Sequence, residues 1–196
     1  MSGNPEVSEK NKRLAKHVAG LFGGTPSAAR IADQAEKSFI DVVAANDSPL
    51  RGLVSYSTFG LSDHPNRGGP KGRSLPVEIV GAAGREFKPF DKAIATAAFC
   101  VINSQWRCSL GAIFPGCLET YRLSRTMKHF FFVAPSLWTG EFKPLRVGKT
   151  KVTWLMAVPI SDEERRLAEM DGPARLDRLF EEKKIDIPNL ARPSIV

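Results

Sequence analysis

The chain has 196 residues, of which 42% are hydrophobic and 25% are charged. This composition is ordinary for a soluble globular protein, and the length predicts one domain, over residues 1–196, with a sizeable core. The densest apolar run, at residues 152–160, is far shorter than the ~20 residues that a membrane helix needs. The N-terminal sequence has no apolar segment followed by a small-residue cleavage site. We therefore expect a cytoplasmic protein that has no membrane partner.

The positive charge of the chain is unevenly distributed. The net charge is +7 and the isoelectric point is about 9.5. Between residues 107 and 151 the only acids are Glu119 and Glu141, whereas residues 162–186 lean acidic. The bases of the 107–151 segment are Arg107, Arg122, Arg125, Lys128, Lys143, Arg146, Lys149 and Lys151. This polarity predicts an anionic partner, and the sequence leaves open whether that partner is nucleic acid or an acidic protein surface.

The first part of the chain predicts one helix and the beginning of a sheet. Asn4 is a typical N-cap, and the apolar spacing after it predicts a helix in which His17 is a solvated surface residue. Residues 28–36 predict a short helical turn. Period-2 alternation of β-favouring residues predicts antiparallel strands at 38–45 and 53–59, which are joined by turn-forming residues.

The middle of the chain predicts a third strand and a covering helix. Residues 64–73 are rich in glycine and proline and predict an exposed, mobile loop, after which residues 75–83 form the returning strand. An apolar stripe at helical spacing predicts a helix over 87–105 that lies across the sheet. The nearly continuous apolar runs at 130–133 and 152–158 predict strands that are buried on both faces.

The last third of the chain predicts a connection and two helices. Residues 135–145 form a long connection in which Trp138 and Phe142 cover an edge of the core. Ser161 and Glu164 have the spacing of a capping box, which predicts that a helix begins there, and a second helix follows a Gly-Pro break. The predicted fold class is therefore α+β, with a single mixed or antiparallel sheet of about five to six strands covered by helices.

No arrangement of residues in the sequence predicts catalysis. Ser62, Asp63 and His64 are adjacent, and adjacency does not provide the geometry of a nucleophile, a base and an orienting acid. The glycine-rich run that follows Arg67 lacks the strand-to-helix setting of a phosphate-binding loop. We therefore predict a protein that is not an enzyme and that uses no cofactor.

The histidines and cysteines do not form a metal-binding pattern. The histidines are isolated, and Cys100, Cys108 and Cys117 have spacings that match no zinc site. We expect free thiols in a reducing compartment, with a reactive thiol as the alternative. No metal site is predicted.

The basic 107–151 segment supports one alternative function, the binding of nucleic acid or a general adaptor role. The segment contains Trp138 and Phe142, and Trp154 follows it closely, so that charged and stacking groups are both present. No recognised nucleic-acid motif occurs, however, and these aromatic residues lie in core-like runs. We therefore keep this function as the alternative to the one that the following motifs indicate.

Several short motifs in a fixed order resemble the suppressor-of-fused domain family. The first is YSTFGLSDHP at residues 56–65, and the second is WLMAVPISDEE at residues 154–164. An EIV strand at residues 78–80 and the predicted central helix lie between them, and a closing IDIPNLAR segment occupies residues 185–192. The resemblance covers most of the chain from about residue 11 onward.

The resemblance implies an α+β domain that binds protein. Animal members of the family sequester a transcription factor in a cleft between two lobes, and this chain has room only for the common N-terminal lobe. Bacterial members act as immunity proteins that neutralise polymorphic toxins. The resemblance thus implies a bacterial immunity protein, and together with the lack of catalytic groups in the sequence it predicts that the chain blocks its toxin sterically. Because this chain is basic, the toxin would be acidic or would contact the acidic face of residues 162–186.

The residues that we expect to contact the protein partner lie at the corner between the second and third predicted strands. They are Ser62, Asp63 and His64, with Arg67 as a further contact from the loop. Gly60, Ser62 and Asp63 also have a purely structural interpretation, since turn geometry and self-capping account for these residue types. The sequence leaves both interpretations open and does not indicate an oligomeric state.

Overall fold

The fold begins with a helix and continues as a sheet whose strands are interrupted by further helices. In the computed structural model the described residues are 8–23, 26–140 and 142–196. Over these residues there are five α-helices: α1 (Glu9–Phe22), α2 (Phe90–Ser104), α3 (Cys117–Thr120), α4 (Asp162–Asp171) and α5 (Pro173–Lys183). The same residues form eight strands: β1 (Ser27–Ala32), β2 (Phe39–Asn46), β3 (Leu53–Phe59), β4 (Val77–Gly84), β5 (Ile113–Phe114), β6 (His129–Val133), β7 (Leu145–Val147) and β8 (Thr150–Ile160).

The strands form one mixed sheet in the order β1-β2-β3-β4-β8-β6-β5. Strands β1 to β4 are an antiparallel meander, and β4 then pairs in parallel with β8. β8 pairs antiparallel with β6, and β6 with β5, while β7 lies off this path and pairs with the start of β8. β8 is therefore the strand on which the two halves of the chain meet. The α+β class with a mixed sheet is as predicted.

Helices cover both faces of the sheet. In β6, Phe130 and Phe132 pack into the core on the α2 side, whereas Phe131 faces the opposite core, which α1, α4 and α5 close. Phe90 of α2 meets Phe130 edge-to-face with ring centroids 5.5 Å apart, and Phe180 of α5 meets Phe131 in the same geometry at 6.1 Å. Burial of both faces explains why β6 and β8 have nearly continuous apolar sequences, and it confirms the prediction for both strands.

The connection between β6 and β7 covers the α1 side of the sheet. Trp138 is 7% exposed and Phe142 is 9% exposed. Their ring centroids lie 5.0 Å apart, and both rings pack against Phe22 of α1. The indole Nε1 of Trp138 donates a hydrogen bond of 2.8 Å to Ser55 Oγ in β3. The predicted covering role of these two aromatic residues is confirmed.

Some local predictions are wrong. The helical turn predicted at residues 28–36 begins as strand β1, because pairing with β2 outweighs the helical propensity of its alanines. Arg30 and Asp41 are opposite each other in this ladder and form an ion pair with Nε and Oδ1 2.8 Å apart. The central helix begins at Phe90 rather than at residue 87, because Pro89 disfavours helical backbone at the residue before it. Residues 110–116, for which the sequence predicts a short edge or a loop, contain the edge strand β5, and the unpredicted strands β1 and β7 raise the strand count above the predicted range.

Helix α1 is present as predicted, but its residue His17 is not solvated as predicted. The predicted cap Asn4 lies outside the described residues, and over the described ones Ser8 Oγ accepts a hydrogen bond from Asn11 N where α1 begins. The Nε2 atom of His17 is buried, and its ring centroid lies 5.4 Å from that of Trp154. The prediction of a solvated His17 is therefore wrong. Among the described helices, none combines the length and the hydropathy that spanning a bilayer requires.

The C-terminal tail is fixed by a buried ion pair at the start of α4. Ser161 and Glu164 form the predicted capping box. The Glu164 carboxylate also accepts hydrogen bonds of 2.6 and 2.8 Å from the guanidinium of Arg192. Glu164 is 0% exposed and Arg192 is 5% exposed, and the guanidinium lies 5.6 Å from the ring centroid of Phe180. The tail thereby closes the core on the α4–α5 side.

Replacing Arg192 by methionine should lower the free energy of unfolding by about 3–5 kcal/mol, because it leaves the buried Glu164 carboxylate without its cation. Urea unfolding followed by circular dichroism measures this loss. The matched control is Arg166→Met on α4, where the side chain is 67% exposed. The control should change the free energy of unfolding by less than about 0.5 kcal/mol. Equal losses in the two variants would contradict the assigned role of Arg192.

Candidate functional site

A sharp corner connects β3 to the loop that leads to β4. β3 ends at Phe59, and Gly60 follows with a φ of 98°. This left-handed conformation favours glycine, since a Cβ would be strained there. A single 3₁₀ turn, Leu61–Asp63, then redirects the chain and buries Leu61 and Ser62. The predicted turn is therefore present, and its first requirement is the backbone freedom of Gly60.

A buried carboxylate organises this corner from the inside. Glu78 of β4 is 0% exposed, and its Oε1 accepts hydrogen bonds from Gly60 N, Ser62 N and Ser62 Oγ at 3.1, 3.0 and 2.7 Å. Its Oε2 accepts one from Thr58 Oγ1 at 2.8 Å. Thr58 Oγ1 in turn accepts a hydrogen bond of 2.8 Å from Ile79 N. One side chain thus joins the end of β3, the corner and β4.

Burial raises the pKa of Glu78 from 4.5 to about 7. The loss of hydration disfavours the ionised carboxylate, and the hydrogen bonds from Ser62 and Thr58 and the charge of Lys10 offset only part of this effect. When the carboxyl group takes up a proton, one of the hydroxyl groups can rotate and accept a hydrogen bond from it. Glu78 therefore titrates near neutral pH while its hydrogen bonds remain within the fold.

Asp63 connects the corner to α1. Lys10 Nζ lies 2.5 Å from Asp63 Oδ1, and Asn11 Nδ2 donates a hydrogen bond of 3.3 Å to Asp63 Oδ2. The side chain of Asp63 is 47% exposed, whereas that of Lys10 is 16% exposed. Such a pair contributes roughly 0–1 kcal/mol to stability, because solvent screens it. Its main effect is to hold an accessible carboxylate in one orientation.

The loop over residues 64–73 is anchored at its base by Asn66, which is 2% exposed. Its Nδ2 donates hydrogen bonds to Cys108 O at 2.8 Å and to Leu75 O at 3.1 Å, and its Oδ1 accepts one from Cys108 N at 3.1 Å. A second 3₁₀ turn, Pro70–Gly72, forms the exposed part of the loop. The loop is thus exposed as predicted, and side-chain hydrogen bonds tie it to the segment after α2.

The structure separates the predicted contact residues into two groups. Ser62 is 6% exposed and its hydroxyl is bound to Glu78. Asp63 and Arg67 are exposed, and His64 is half-buried. The accessible groups that a partner can reach are therefore Asp63, His64 and Arg67, while Ser62 acts on their positions from within.

Sequence analysis missed the two residues that hold the corner, Glu78 and Asn66. Glu78 is a lone acid within the apolar run PVEIVGAA of β4. A lone acid in such a run predicts a buried carboxylate with hydrogen-bond donors close by, because a carboxylate that is buried with its strand needs them. Asn66 has no comparable signal, because asparagine is as common in exposed turns as in buried anchors.

The cysteines and His129 have structural contacts. Burial raises the pKa of the Cys100, Cys108 and Cys117 thiols, which keeps them protonated and weakly nucleophilic. His129 Nδ1 accepts a hydrogen bond of 2.8 Å from Gly116 N, and its Nε2 lies 3.0 Å from Asp162 Oδ1. Within residues 8–23, 26–140 and 142–196, no three metal-ligating side chains come together.

The aromatic residues of the nucleic-acid hypothesis lie inside the core. Trp138 and Phe142 are 7% and 9% exposed, and Trp154 is 1% exposed, so that none presents a ring on which a base could stack. One of the basic residues, Lys128, forms an ion pair with Asp162. Of the groups on which the nucleic-acid hypothesis relies, the basic residues therefore remain accessible and these three rings do not.

Residues 36–193 match the family model of the suppressor of fused protein. The chain belongs to the suppressor-of-fused family. It is also 40% identical over 190 residues to the immunity protein YqcF of Bacillus subtilis (strain 168), a similarity that covers 97% of this chain and 99% of that protein. The predicted relationship to the family, and to an immunity protein within it, is thus confirmed.

Solved structures of suppressor-of-fused proteins share this fold. The homologue from Neisseria gonorrhoeae FA 1090 matches with a TM-score of 0.72 and 17% identity over 96% of this chain and 97% of that chain. A chain of the Sufu–Fu complex matches with a TM-score of 0.65 and 13% identity over 94% of this chain and 91% of that chain. Drosophila Suppressor of Fused matches with a TM-score of 0.50 and 13% identity, over 86% of this chain and 42% of that chain.

The suppressor-of-fused motifs lie where strands β3 and β8 end and where the C-terminal tail contacts α4. Residues 56–65 form the corner that Glu78 holds, and residues 154–164 contain the end of β8 and the capping box. The segment 185–192 ends at Arg192, which binds the carboxylate of the capping box. The buried residues of these motifs therefore maintain the fold, and the residues that a partner can reach are the exposed ones at the corner and on the surface between the motifs.

Glu78→Gln should remove a pH dependence of stability. Because the folded pKa of about 7 exceeds the ordinary value of 4.5, the folded protein holds this proton more tightly than the unfolded chain. The stabilising contribution is thus complete below the ordinary pKa and is lost as the pH rises through the folded pKa. Urea unfolding across this pH window should show a steeper decline for the wild-type protein than for Glu78→Gln.

A matched control for this measurement is Glu119→Gln, which removes an exposed carboxylate. The control variant should retain the wild-type decline in the free energy of unfolding. If Glu78→Gln declines as steeply as the wild-type protein, Glu78 does not titrate in the way that its burial requires.

Proposed function

We propose that this chain is a non-enzymatic, protein-binding immunity protein that neutralises a bacterial polymorphic toxin. The observation that carries the proposal is the 40% identity with the immunity protein YqcF, over 97% of this chain and 99% of that protein. Membership of the suppressor-of-fused family and the fold shared with a chain of the Sufu–Fu complex add support for a protein as the ligand. In this proposal the chain acts in the cytoplasm as one binding unit.

The proposed mechanism is steric occlusion by the corner and its loop. The bonds of Glu78 to Gly60 and Ser62 fix the corner before any partner arrives. A surface that is already ordered loses little conformational entropy on association, which favours tight binding. We propose Asp63, His64 and Arg67 as the contacts, and Ser62 as the residue that supports them from within.

The charge of the chain favours an acidic toxin surface. The net charge is +7, and complementary charge raises the rate at which an inhibitor meets its target. A toxin with a basic surface would instead meet the acidic residues of α4 and α5. The first arrangement agrees with the charge of the whole molecule, and we adopt it.

The proposal predicts a toxin reading frame beside the gene of this chain, and co-expression of the two proteins tests it. We expect cells to survive when the chain is present and to die when it is absent. Purified chain and toxin domain should form a stable complex on size-exclusion chromatography, with both masses unchanged in the mass spectrum. Survival without a complex, or a chemical change in the toxin, would contradict steric occlusion. Retention on DNA that weakens steeply with salt, without a toxin complex, would favour the nucleic-acid hypothesis.

Charge reversal in the loop tests which surface meets the toxin. Arg67→Glu should weaken toxin binding roughly tenfold, because it places like charges together at the contact. Arg51→Glu makes the same change in an exposed turn at the other end of β3 and should alter the affinity by less than about twofold. Isothermal titration calorimetry measures both. Equal losses would indicate that net charge, and not the loop, governs binding.

A further inference from the structure

A second accessible site lies in an open cleft between the segment that joins α3 to β6 and the C-terminal tail. Its volume is about 590 Å³, which is within the ~300–1,000 Å³ range of protein ligand sites. No residue of the corner lines this cleft. The cleft is therefore a separate feature that the proposed corner contacts do not explain.

The floor of the cleft is apolar and fixed. Leu123 is 7% exposed and Leu190 is 0% exposed, and the half-buried ring of Phe87 lies beside them. Ser124 joins the two sides, because its hydroxyl donates to Leu190 O and accepts from Thr126 N at 3.1 Å. These bonds hold the two sides of the cleft together, and the accessible apolar surface of Phe87, beside the two buried leucines, suits an apolar side chain.

The rim of the cleft carries two arginines, Arg122 and Arg125, which are both exposed. Over the part of the chain that the structure describes, neither guanidinium has an ion pair or a hydrogen-bond partner. Lys128 in the same basic segment is, in contrast, engaged by Asp162. Glu119 is the one acid among the described residues that line the cleft, so the lining has a net positive charge.

The backbone at Arg122 does not require an arginine. Its φ is 52°, and it is one of six non-glycine residues with positive φ in the described part of the chain. Glycine adopts this left-handed conformation at lower cost, since its lack of a Cβ removes the steric clash. The backbone conformation at residue 122 therefore does not depend on the arginine side chain, whose charge is accessible to a ligand on the rim.

We propose that this cleft binds an acidic segment of a protein partner, in which a carboxylate side chain is flanked by an apolar one. A guanidinium group matches a carboxylate through parallel hydrogen bonds, and the apolar floor accommodates the neighbouring side chain. The proposal rests on the proposed function, because it specifies the chemistry by which a basic immunity protein recognises an acidic toxin. It adds a contact surface that is separate from the corner.

A labelled peptide tests the cleft without the toxin. The probe is a fluorescein-labelled peptide that alternates glutamate and leucine, and the comparison peptide alternates glutamine and leucine. In fluorescence anisotropy we expect the glutamate peptide to bind the wild-type chain at least about tenfold more tightly than the glutamine peptide, since charged hydrogen bonds are the stronger ones. Equal binding of the two peptides would overturn the proposal.

Two double variants distinguish peptide binding in the cleft from attraction by the positive charge of the whole chain. Arg122→Gly together with Arg125→Ser should weaken glutamate-peptide binding at least about tenfold. Arg146→Ser together with Lys149→Ser removes the same charge from exposed positions that do not line the cleft and should weaken binding less than about twofold. Equal losses would overturn the proposal in favour of non-specific attraction. Tighter binding of a single-stranded DNA oligomer of equal charge, with the same dependence on the two arginines, would overturn it as well.

Thermal unfolding distinguishes a binding role from a structural one. Glycine suits the left-handed backbone at residue 122, so the cleft variant should unfold within about 3 °C of the wild-type protein. A large loss of thermal stability would indicate that the arginines support the fold, and it would overturn the assignment. The toxin experiment remains independent. If the toxin binds the wild-type chain and the cleft variant equally, the proposed function stands and the cleft proposal fails.

Discussion

The constraint on which the corner depends is the burial of the Glu78 carboxylate inside the sheet. An ionised carboxylate loses its hydration there, which is unfavourable unless donors replace the lost water. The donors come from Thr58, Gly60 and Ser62. Opening the corner would strip the carboxylate of these partners, so the corner remains closed as long as β4 stays in the sheet. A surface feature is thus held in one conformation by a buried residue.

A second buried carboxylate with hydrogen-bond donors around it lies near the other end of the chain. The buried Glu164 carboxylate receives both the capping-box N–H of Ser161 and the guanidinium of Arg192. Breaking such a pair is unfavourable because one charge is left buried alone. Each of these internal carboxylates therefore closes a place where the chain leaves the sheet, and both contact segments that carry the family resemblance. These internal bonds account for the buried residues of the suppressor-of-fused motifs without a ligand.

Sequence reasoning succeeded where the signal is local. Alternation predicted β3, the Ser161 spacing predicted the cap of α4, and the apolar run predicted a strand buried on both faces at β6. It failed where partners distant in sequence decide the structure. The strand β1 is rich in alanine and is extended because β2 lies beside it, and Glu78 could not be assigned a role until its donors were located. The turn-forming residues predicted the corner, but they did not show that Ser62 is buried and that Asp63 is exposed.

In the proposed function, recognition depends on the side chains that the internal bonds leave free on the surface. Lys10, Arg30 and Arg192 neutralise acids within the fold, so their charges add little to long-range attraction. Arg67 is exposed on a loop that Asn66 anchors, and the arginines of the cleft stand on another fixed segment. Because these side chains are not needed to close the sheet, they can be exchanged without disturbing the buried carboxylates. This separation agrees with an architecture that is kept at 13–17% identity, because function depends on surface sites and not on the fold itself.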